Sequence, residues 1–554
     1  MPHFTLSKTF LFNSYDLSEE DKAVFDVYLS VLEESGIHEI FEKELGEPGP
    51  KRGRPPYNPY KLFAAIAYAF SKHSGSLRKI EESLRYDMRF IYLMEGETPS
   101  HVTISHFLNN YIVKHQSEIF TKIVLAIARR YRIDLSDCFL DGTKLEANAN
   151  KYKFVWKPTA SHAKLIAKAS ALIAEHFGAE GLPKAVTALQ MGAYLTRLKS
   201  EIEEGGLRAE APGKGHRAPK IVKDYALLEK YMLKALEYEE KESICGRSRN
   251  SYYKTDRDAT AMCLKEDYYS GLGSNMHAGY NVQIVVSKGL VIEYYVSQDR
   301  NDFKAFAPTL EKLCADYGGI PKRLCADSGY GSLENYEALA AKGIENYVKY
   351  GSWQMEVSGK RPSLYRFDGE GNLICLRGKI AREEAEHYGR HPKGKGARFY
   401  VIEGCARCRY KGICFEAVKD KKATSRVFEA SKAYAEHKKE AMENLLSPKG
   451  IEMRVNRSAQ VEGAFGVLKQ DMEYDRVRRR GLENVSLETM MTLLGYNLRK
   501  LFRLITGKAK TDYWVAPEGL QAEQMKPIST KKRKKRKKGA NEKLRKSYKR
   551  KKGR

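Results

Sequence analysis

Two consecutive β-rich runs constrain the fold of this chain more than any other sequence feature. They form the segment GYNVQIVVSKGLVIEYYVSQD, in which Ser287, Lys288 and Gly289 separate two apolar halves. β-Branched and aromatic residues favour strands, and a short connection that contains glycine favours an antiparallel pair. The segment therefore predicts a β-hairpin, which any fold of the chain must accommodate.

An apolar run that ends in aspartate lies on each side of this hairpin in the sequence. The run before it ends at Asp141 and is followed by a predicted turn, and the run after it ends at Asp327. Glycine follows each aspartate within two residues. A carboxylate at the end of a strand projects into a crevice, where it can bind a hard divalent cation. Taken alone, each aspartate is more simply explained as part of a turn.

Segment 456–480 carries a third candidate carboxylate on a predicted helix. Glu462, Lys469 and Arg476 lie about 60° to 100° from the first residue of its buried face, along one edge of that face. The placement suits a carboxylate that binds a metal beside two cations that bind phosphate; the alternative is a solvated charged face. The buried face consists of apolar residues at helical spacing: Val461, Phe465, Leu468 and Met472.

The charge of the chain indicates what it binds. It has 97 Lys and Arg against 70 Asp and Glu, a formal net charge of +27. Residues 531–554 account for +15, so the rest of the chain still carries +12. A basic body with a basic tail predicts nucleic acid as the partner. No apolar run approaches the ~18 residues of a membrane span, and nine cysteines do not suggest a disulfide scaffold, so we expect a cytoplasmic protein.

Residues 1–130 have the pattern of a helical domain. Asn58 and Pro59 form a cap and first-turn proline, and Ser76 precedes a second helical run. Short helices joined by tight turns can form a unit of the helix-turn-helix kind, with Arg78 and Lys79 as DNA-binding residues. The alternative is a small helical bundle with an ordinary charged surface.

The order of these elements carries a resemblance. Asp on a first strand, a hairpin, Asp on a later strand and Glu on a late helix is similar to the DDE transposases of bacterial insertion sequences, over residues 40 to 500. The motifs are RGRPPYNPYKLFAAIAYAF with SLRKIEESLRYDMRF and PSHVTISHF, then FLDGTKLEANANKYKFVWK, YNVQIVV, CADSGYGS and VEGAFGVLKQDMEYDRVRRRG.

The resemblance implies an α/β fold in three parts. A helical DNA-binding domain, 1–130, precedes an RNase H-like catalytic domain, 131–515, with a mixed β-sheet and flanking helices. This domain is interrupted by a helical insertion at about 155–255 and a cysteine-containing one at about 340–430. A disordered basic tail, 516–554, follows.

The resemblance also implies an activity, namely DNA strand cleavage and strand transfer at the ends of an insertion sequence. Asp141, Asp327 and Glu462 would hold Mg²⁺ or Mn²⁺, while Lys144, with Lys469 and Arg476, would hold phosphates. The expected partners are the terminal inverted repeats, target DNA and a second copy of the chain, at the bacterial nucleoid. The alternatives are a decayed, non-catalytic nucleic-acid-binding protein and an RNase H-like nuclease without strand transfer.

One departure from a related transposase pattern concerns the segment before the glutamate. That pattern places Tyr, Arg, Glu and Lys with gaps of two, three and six residues. Glu462 and Lys469 fit the last gap, but Ser458 occupies the arginine position and Val455 the tyrosine position. The nearest arginine, Arg457, is one residue too early.

Four cysteines lie in the second predicted insertion. Four thiolates can complete a structural zinc site, and free surface thiols are the alternative. These cysteines are Cys375, Cys405, Cys408 and Cys414.

Further acids lie near the hairpin. Asp302 is interpreted as a helix cap, and its acidic neighbours as turn or surface residues.

Overall fold

The computed structural model describes most of the chain and separates it into two compact units. The first unit consists of the described residues within Met1–Lys349 and Lys449–Glu518, and the second of those within Tyr350–Pro448 and Gly519–Arg554. None of the helices within the described part is long and apolar enough to cross a membrane. Most of the predicted disordered tail lies outside the described residues. These are 17–45, 57–72, 75–178, 183, 185–209, 218–264, 276–509 and 513–526.

The described N-terminal residues of the first unit are mainly helical, as the sequence predicts for this region. Asn58 Oδ1 accepts hydrogen bonds from the N–H groups of Tyr60 and Lys61, which confirms the predicted cap. Ser76 precedes α4, but its side chain makes no capping bond. The helices are α1 (Glu19–Glu34), α2 (Ile37–Leu45), α3 (Pro59–Lys72), α4 (Leu77–Tyr86), α5 (Met88–Met94), α6 (His101–Asn110) and α7 (Gln116–Arg130).

A mixed sheet follows the helices. The predicted hairpin is present, and Lys288 and Gly289 both have positive φ at its two-residue turn, as a tight turn between twisted strands requires. The strands are β1 (Asp137–Glu146), β4 (Thr260–Cys263), β5 (Met276–Ser287), β6 (Leu290–Ser297), β7 (Arg323–Ala326) and β8 (Glu345–Asn346). Two helices accompany them: α11 (Asp302–Tyr317) and α12 (Leu333–Ala341).

The strand order of this sheet is that of the predicted RNase H-like fold. The order is β6–β5–β1–β7–β8, and β4 pairs with the other end of β5. β5 and β6 run antiparallel to their neighbours, whereas β7 and β8 run parallel to β1. The fold prediction is therefore confirmed.

Between β1 and β4 the chain forms a helical insertion with a core of its own. Ala169, Ile173, Met191 and Leu198 are among the buried residues of this core. A short ribbon closes the insertion at its base, where β2 pairs with β3. The elements are β2 (Phe154–Trp156), α8 (Thr159–Phe177), α9 (Ala188–Glu204), α10 (Lys220–Cys245) and β3 (Ser251–Tyr253).

The second unit contains two small antiparallel sheets, β9–β10 and β11–β12–β13. They pack around a core that includes Leu373, Tyr400 and Phe428. The elements are α13 (Trp353–Val357), β9 (Tyr365–Phe367), β10 (Leu373–Cys375), β11 (Arg382–Glu384), β12 (Ala397–Ile402), α14 (Lys411–Cys414), β13 (Arg426–Ser431) and α15 (Lys432–Leu446).

The chain then returns to the first unit as an interrupted helix and a long regular one. α16 (Pro448–Arg457) continues into a π-helical turn at Ser458–Glu462, α17 (Gly463–Gly466) and a second π-helical turn at Val467–Asp471. α18 (Leu482–Ile505) packs along α3. Gly495 makes this close packing feasible, because a Cβ there would lie 2.5 Å from the backbone carbonyl of Phe70.

The structure corrects the prediction of one helix over 456–480. Helical structure ends at Asp471, and the chain beyond it is extended beside the end of β1. The N–H of Val477 donates to the carbonyl of Glu146, and the N–H of Glu146 donates to the carbonyl of Asp475. The strand edge supplies hydrogen bonds that a continuing helix would have made internally. Helical periodicity alone does not reveal this competing partner.

Candidate active site

Asp141 and Asp327 lie next to each other because their strands are parallel neighbours. Leu140 pairs with Ala326, the last residue of β7, so the following position on each chain is an aspartate. Since β7 ends there, β1 between Leu140 and Glu146 has a strand neighbour only on its β5 side in the described register. Asp141 and Asp327 therefore lie where the parallel pair ends, a position at which α/β sheets typically bind ligands.

The setting of Asp141 differs from the prediction. β1 continues to Glu146, and Asp141 pairs with Ile284 in the middle of the strand. The predicted turn after Asp141 is therefore wrong, because residues beyond it extend the ladder with β5. Asp327 does precede a turn: its Oδ1 accepts a hydrogen bond from the N–H of Gly329 at 2.7 Å.

Gly142 serves packing between strands and not a turn. Its partner on β5 is Gln283, and a Cβ on Gly142 would lie 2.4 Å from Gln283 Nε2. Such a contact is far inside van der Waals range. The glycine therefore makes room for a buried glutamine in the adjacent strand.

Gln283 belongs to a buried network that ends on a further carboxylate, Asp302. Tyr330 donates its hydroxyl hydrogen to Gln283 Oε1. Gln283 Nε2 lies 2.9 Å from Asn281 Oδ1 and 3.5 Å from Asp302 Oδ1. Asn281 Nδ2 donates to Asp302 Oδ1 at 2.8 Å. Asn281 and Gln283 are completely buried, so these bonds hold Asp302 in place.

Asp302 also approaches the turn that follows Asp327. A Cβ on Gly329 would lie 3.0 Å from Asp327 Oδ1 and 4.0 Å from Asp302 Oδ2. Asp302 is the first residue of α11, and the residue at the cap position is Asn301. The interpretation of Asp302 as a helix cap is therefore wrong; its side chain contacts the amides of β5.

The sequence patterns did not predict the network of Asp302, Gln283 and Tyr330, although one signal of it is present. In YNVQIVV the polar residues Asn281 and Gln283 alternate with apolar ones in a strand that is otherwise apolar. Buried amides need partners, so two of them on one strand face indicate a polar cluster there.

Arg457 provides the positive charge of the site. Its guanidinium Nη2 lies 2.8 Å from Asp141 Oδ2, and its side chain is 9% exposed. Its Nε is buried, and the described residues provide no hydrogen-bond partner for it. Farther back on α16, Lys449 Nζ lies 2.8 Å from Asp137 Oδ2. Two ion pairs thus attach one side of this helix to β1.

The π-helical turn accounts for the one-residue offset of Arg457. A π-helical turn closes with an i→i+5 hydrogen bond and inserts one residue relative to an α-helical turn. Ser458–Glu462 form such a turn, so Arg457 is five residues before Glu462 in sequence but still one turn before it. Gln460, in this turn, accepts a hydrogen bond from the N–H of Gly289 at 2.9 Å and attaches it to the hairpin.

Glu462 does not join the two aspartates in this structure. Its side chain is exposed, although the turn that contains it packs against β1 and β5. Within the described part of the chain, no cluster of three or more His, Cys, Asp or Glu side chains has the arrangement of a metal site. Asp141 and Asp327 follow paired residues of neighbouring strands, and the convergence of all three acids stays a prediction.

The electrostatics of Asp141 reflect both its burial and its neighbours. Burial raises the pKa of Asp141, while the guanidinium of Arg457 and the N–H of Gly142 counteract this rise. The negative charges of Asp327 and Asp302 raise the pKa further. Carboxylates whose charges oppose one another in this way favour a cation between them. The carboxylate oxygens present are of the kind that fits a hard divalent ion.

The predicted phosphate-binding cations occupy different places. Lys144 is three residues after Asp141 on a regular strand, so its side chain points to the opposite face of the sheet. Lys469 lies in the second π-helical turn and lines a small cavity with Thr143 and Phe465. Arg476 lies outside any helix, with its Nε 4.0 Å from Glu146 Oε1, which corrects its predicted helical position.

Arg78 and Lys79 are exposed on α4. Their exposure leaves both side chains accessible to a partner, as the prediction of DNA contact requires.

The four cysteines of the second unit line one cavity and are all free thiols. Burial raises the pKa values of Cys405 and Cys414, and the neighbouring sulfurs raise them further. Their convergence agrees with the pattern of the sequence. The arrangement in the described residues is not that of a formed metal site.

The geometry defines the class of the protein as RNase H-like α/β with a helical N-terminal region. Comparison with known proteins narrows this class further. A model of the family described as "Transposase DDE domain" matches residues 374–502, and one described as "Transposase domain (DUF772)" matches residues 14–110. No curated protein and no solved structure matches the chain. The two matches confirm the resemblance to the DDE-type transposases of insertion sequences.

Proposed function

We propose that the chain binds the ends of an insertion sequence and catalyses metal-dependent DNA strand cleavage and strand transfer. The observation that carries this proposal is the adjacency of Asp141 and Asp327 at the open edge of an RNase H-like sheet. The transposase matches at both ends of the chain support it.

Mg²⁺ or Mn²⁺ would be held by Asp141 and Asp327, with Glu462 as the third ligand of the resembling family. When bound, such ions activate an attacking oxygen and stabilise the leaving one at phosphorus. Asp302 adds a carboxylate at the margin of this group. The side-chain amides of Asn281 and Gln283 hold Asp302 Oδ1, so that Oδ2 is directed towards the turn after Asp327.

Burial raises the pKa of Asp141, and the guanidinium of Arg457 opposes this rise by favouring the charged carboxylate. A buried carboxylate without a counter-charge would take up a proton and lose its capacity to bind a cation. The guanidinium lies 2.8 Å from the carboxylate oxygen and supplies that counter-charge. Because its Nε is buried without a partner among the described residues, Arg457 has an N–H left to donate to an oxygen of a bound phosphate.

The reaction would proceed in two displacements. Water attacks phosphorus at the end of the element, the bond to the 3′ oxygen breaks, and a 3′-hydroxyl and a 5′-phosphate are released. That hydroxyl then attacks a target phosphodiester, loses its proton and forms the new bond to phosphorus. The bond from phosphorus to the target's 3′ oxygen breaks, and this oxygen takes up a proton and leaves as a 3′-hydroxyl. Lys469 and Arg476, and Lys144 from the other face, would neutralise phosphates along the bound DNA.

The proposed partners follow from the charge and the family. The net charge of +27 suits double-stranded DNA, both the terminal inverted repeats and the target. Two ends must be processed together, so we propose a homodimer in the complex with DNA, acting at the nucleoid in a bacterial cytoplasm. Arg78 and Lys79 would contribute to the recognition of the ends.

We further propose that the cysteines of the second unit hold a structural zinc ion. The supporting observation is that the four side chains line one cavity. Zinc content measured by atomic emission, in wild type and in Cys405→Ser with Cys263→Ser as a control, tests this. One zinc per chain, lost in Cys405→Ser alone, is expected; wild type without zinc contradicts it.

A strand-transfer assay tests the main proposal. Purified chain, Mg²⁺, labelled element ends and target DNA are compared with Asp141→Ala. Joined product from wild type, absent with the variant or with a chelator, is expected. Cleavage without joined product would indicate a nuclease, and DNA binding without any metal-dependent product would indicate a binding protein.

A further inference from the structure

The ribbon at the base of the helical insertion carries exposed aromatic side chains. Tyr152 is 81% exposed, Phe154 is 45% exposed and Trp156 is 50% exposed. Phe154 and Trp156 lie two positions apart on β2 and share one face, with ring centroids 5.7 Å apart. Single exposed aromatics are common, but three exposed rings at alternate positions within five residues are an unusual local concentration of apolar surface.

The surroundings of this patch are positively charged. Lys151 and Lys153 alternate with the aromatic residues, and Lys254 of the paired strand's end is bonded to Lys153 through its backbone. Between Glu146 and Glu175 the sequence has five lysines and no acidic residue. A polyanion with apolar surfaces complements such a patch, whereas a second copy of this basic chain would be repelled by it.

DNA with unstacked bases has both properties. Aromatic rings stack on bases only where the bases are not already stacked within a duplex, and lysines interleaved with them neutralise the phosphates. The packing of β2 supports a rigid platform, since Phe154 pairs with Tyr253 and Trp156 with Ser251, both buried residues of β3.

The ribbon is also attached closely to the candidate active site. Phe154 comes eight positions after Glu146, the end of β1, and a chain of that length spans at most about 28 Å. DNA bound beside Asp141 can therefore extend to the ribbon.

We propose that Tyr152, Phe154 and Trp156 form a binding site for unpaired bases of single-stranded DNA. This inference deepens the proposed function and depends on it for the source of the strand, the DNA end opened by cleavage. Rings of this kind bind bases with little sequence preference, because every base has a π-face.

The test measures binding of the full-length chain to labelled oligothymidine of about 20 nucleotides, long enough to span one such site, and to a duplex of equal length. Salt of about 0.3 M suppresses the non-specific contribution of the basic tail. The triple variant Tyr152→Ala, Phe154→Ala, Trp156→Ala is expected to lose at least about tenfold in single-strand affinity, with duplex affinity changed less than about twofold. Trp156→Phe, which keeps a ring, should retain most of the binding.

Two variants serve as controls for exposed apolar surface. Leu189→Ala and Tyr388→Ala remove side chains that are 86% and 90% exposed, and should leave both affinities unchanged. The inference is overturned if the triple variant binds oligothymidine as wild type does, or loses duplex and single-strand binding equally. Strand transfer by wild type is measured in parallel, so loss of the inference alone is distinguishable from loss of the proposed function.

Discussion

The carboxylates on strands and the carboxylate on the helix are placed by different physical means. Asp141 and Asp327 are neighbours because β1 and β7 share a parallel register, which many backbone hydrogen bonds fix together. Glu462 lies on a segment with two π-helical turns, and its side chain is exposed. The strand pair is therefore preformed, whereas the position of the helix residue depends on the local turns that contain it.

Removal of Arg457 is expected to have the largest effect on this arrangement. Arg457→Ala leaves the buried Asp141 without its counter-charge, so the free energy of unfolding falls by about 2–3 kcal/mol. The pKa of Asp141, already raised, rises further, and the pH below which metal-dependent activity is lost moves upward. Denaturant unfolding and a pH profile measure both effects. Arg454→Ala is the matched control, and equal losses in the two variants would contradict the role of Arg457.

The variant Asp302→Asn tests whether the negative charge of Asp302 contributes to metal binding, or whether a polar side chain is enough. The amide retains an acceptor for Asn281 but removes the charge near Asp327, so Mn²⁺ affinity and strand cleavage should each fall about tenfold or more. Mn²⁺ binding by electron paramagnetic resonance provides a readout independent of activity. Asp299→Asn removes a nearby charge outside the network and should change neither; identical behaviour of the two variants would exclude Asp302 from the site.

Gly142→Ala tests whether the strand pair depends on the space for Gln283. The added Cβ would lie 2.4 Å from Gln283 Nε2, so the strands must shift and stability should fall by about 1–3 kcal/mol. Gly463→Ala, a helical position with no atom within 4 Å of the new Cβ, should instead gain up to about 1 kcal/mol. Thermal unfolding of both variants measures the contrast, and a stable Gly142→Ala protein would remove the proposed reason for this glycine.

Deletion of Ala459 is expected to have the smallest effect. If the π-helical turn carries one inserted residue, deletion of that residue restores an α-helical turn with Arg457 four residues before the glutamate. The free energy of unfolding should then fall by no more than about 1 kcal/mol. Deletion of Ala167, an exposed alanine in the regular α8, rotates Ala169 and Ile173 out of the core of the insertion and should cost several times more. Comparable losses in the two deletions would show that the π-helical turn has no such tolerance.

Local patterns in the sequence predicted the parts of the fold that depend on local chemistry. The hairpin at Lys288 and Gly289 follows from strand propensity and turn geometry, and the cap at Asn58 from its side-chain oxygen. The order of motifs indicated the RNase H-like sheet. The roles of Glu462 and of the predicted phosphate-binding cations stay predictions, because exposed side chains contact metal or DNA only when these are bound.

The errors have a common cause, which is competition from distant strands. β1 continues past Asp141 because β5 offers hydrogen bonds to it, and the helix predicted to reach residue 480 ends at Asp471 because the edge of β1 pairs with Arg476. Asp302 was interpreted as a cap because its amide partners are about 20 residues away in sequence. A periodicity read along one segment contains no information on such partners.

Local sequence patterns are enough to predict that this basic chain contains a hairpin flanked by two aspartates, a late glutamate and a helical start. The folded chain is needed to see that Asp141 and Asp327 are in register, that Gly142 makes room for Gln283, and that Arg457, just before a π-helical turn, contacts Asp141. The physical reason is that propensity and periodicity act along the chain, whereas register, close packing and ion pairing arise between segments far apart in it.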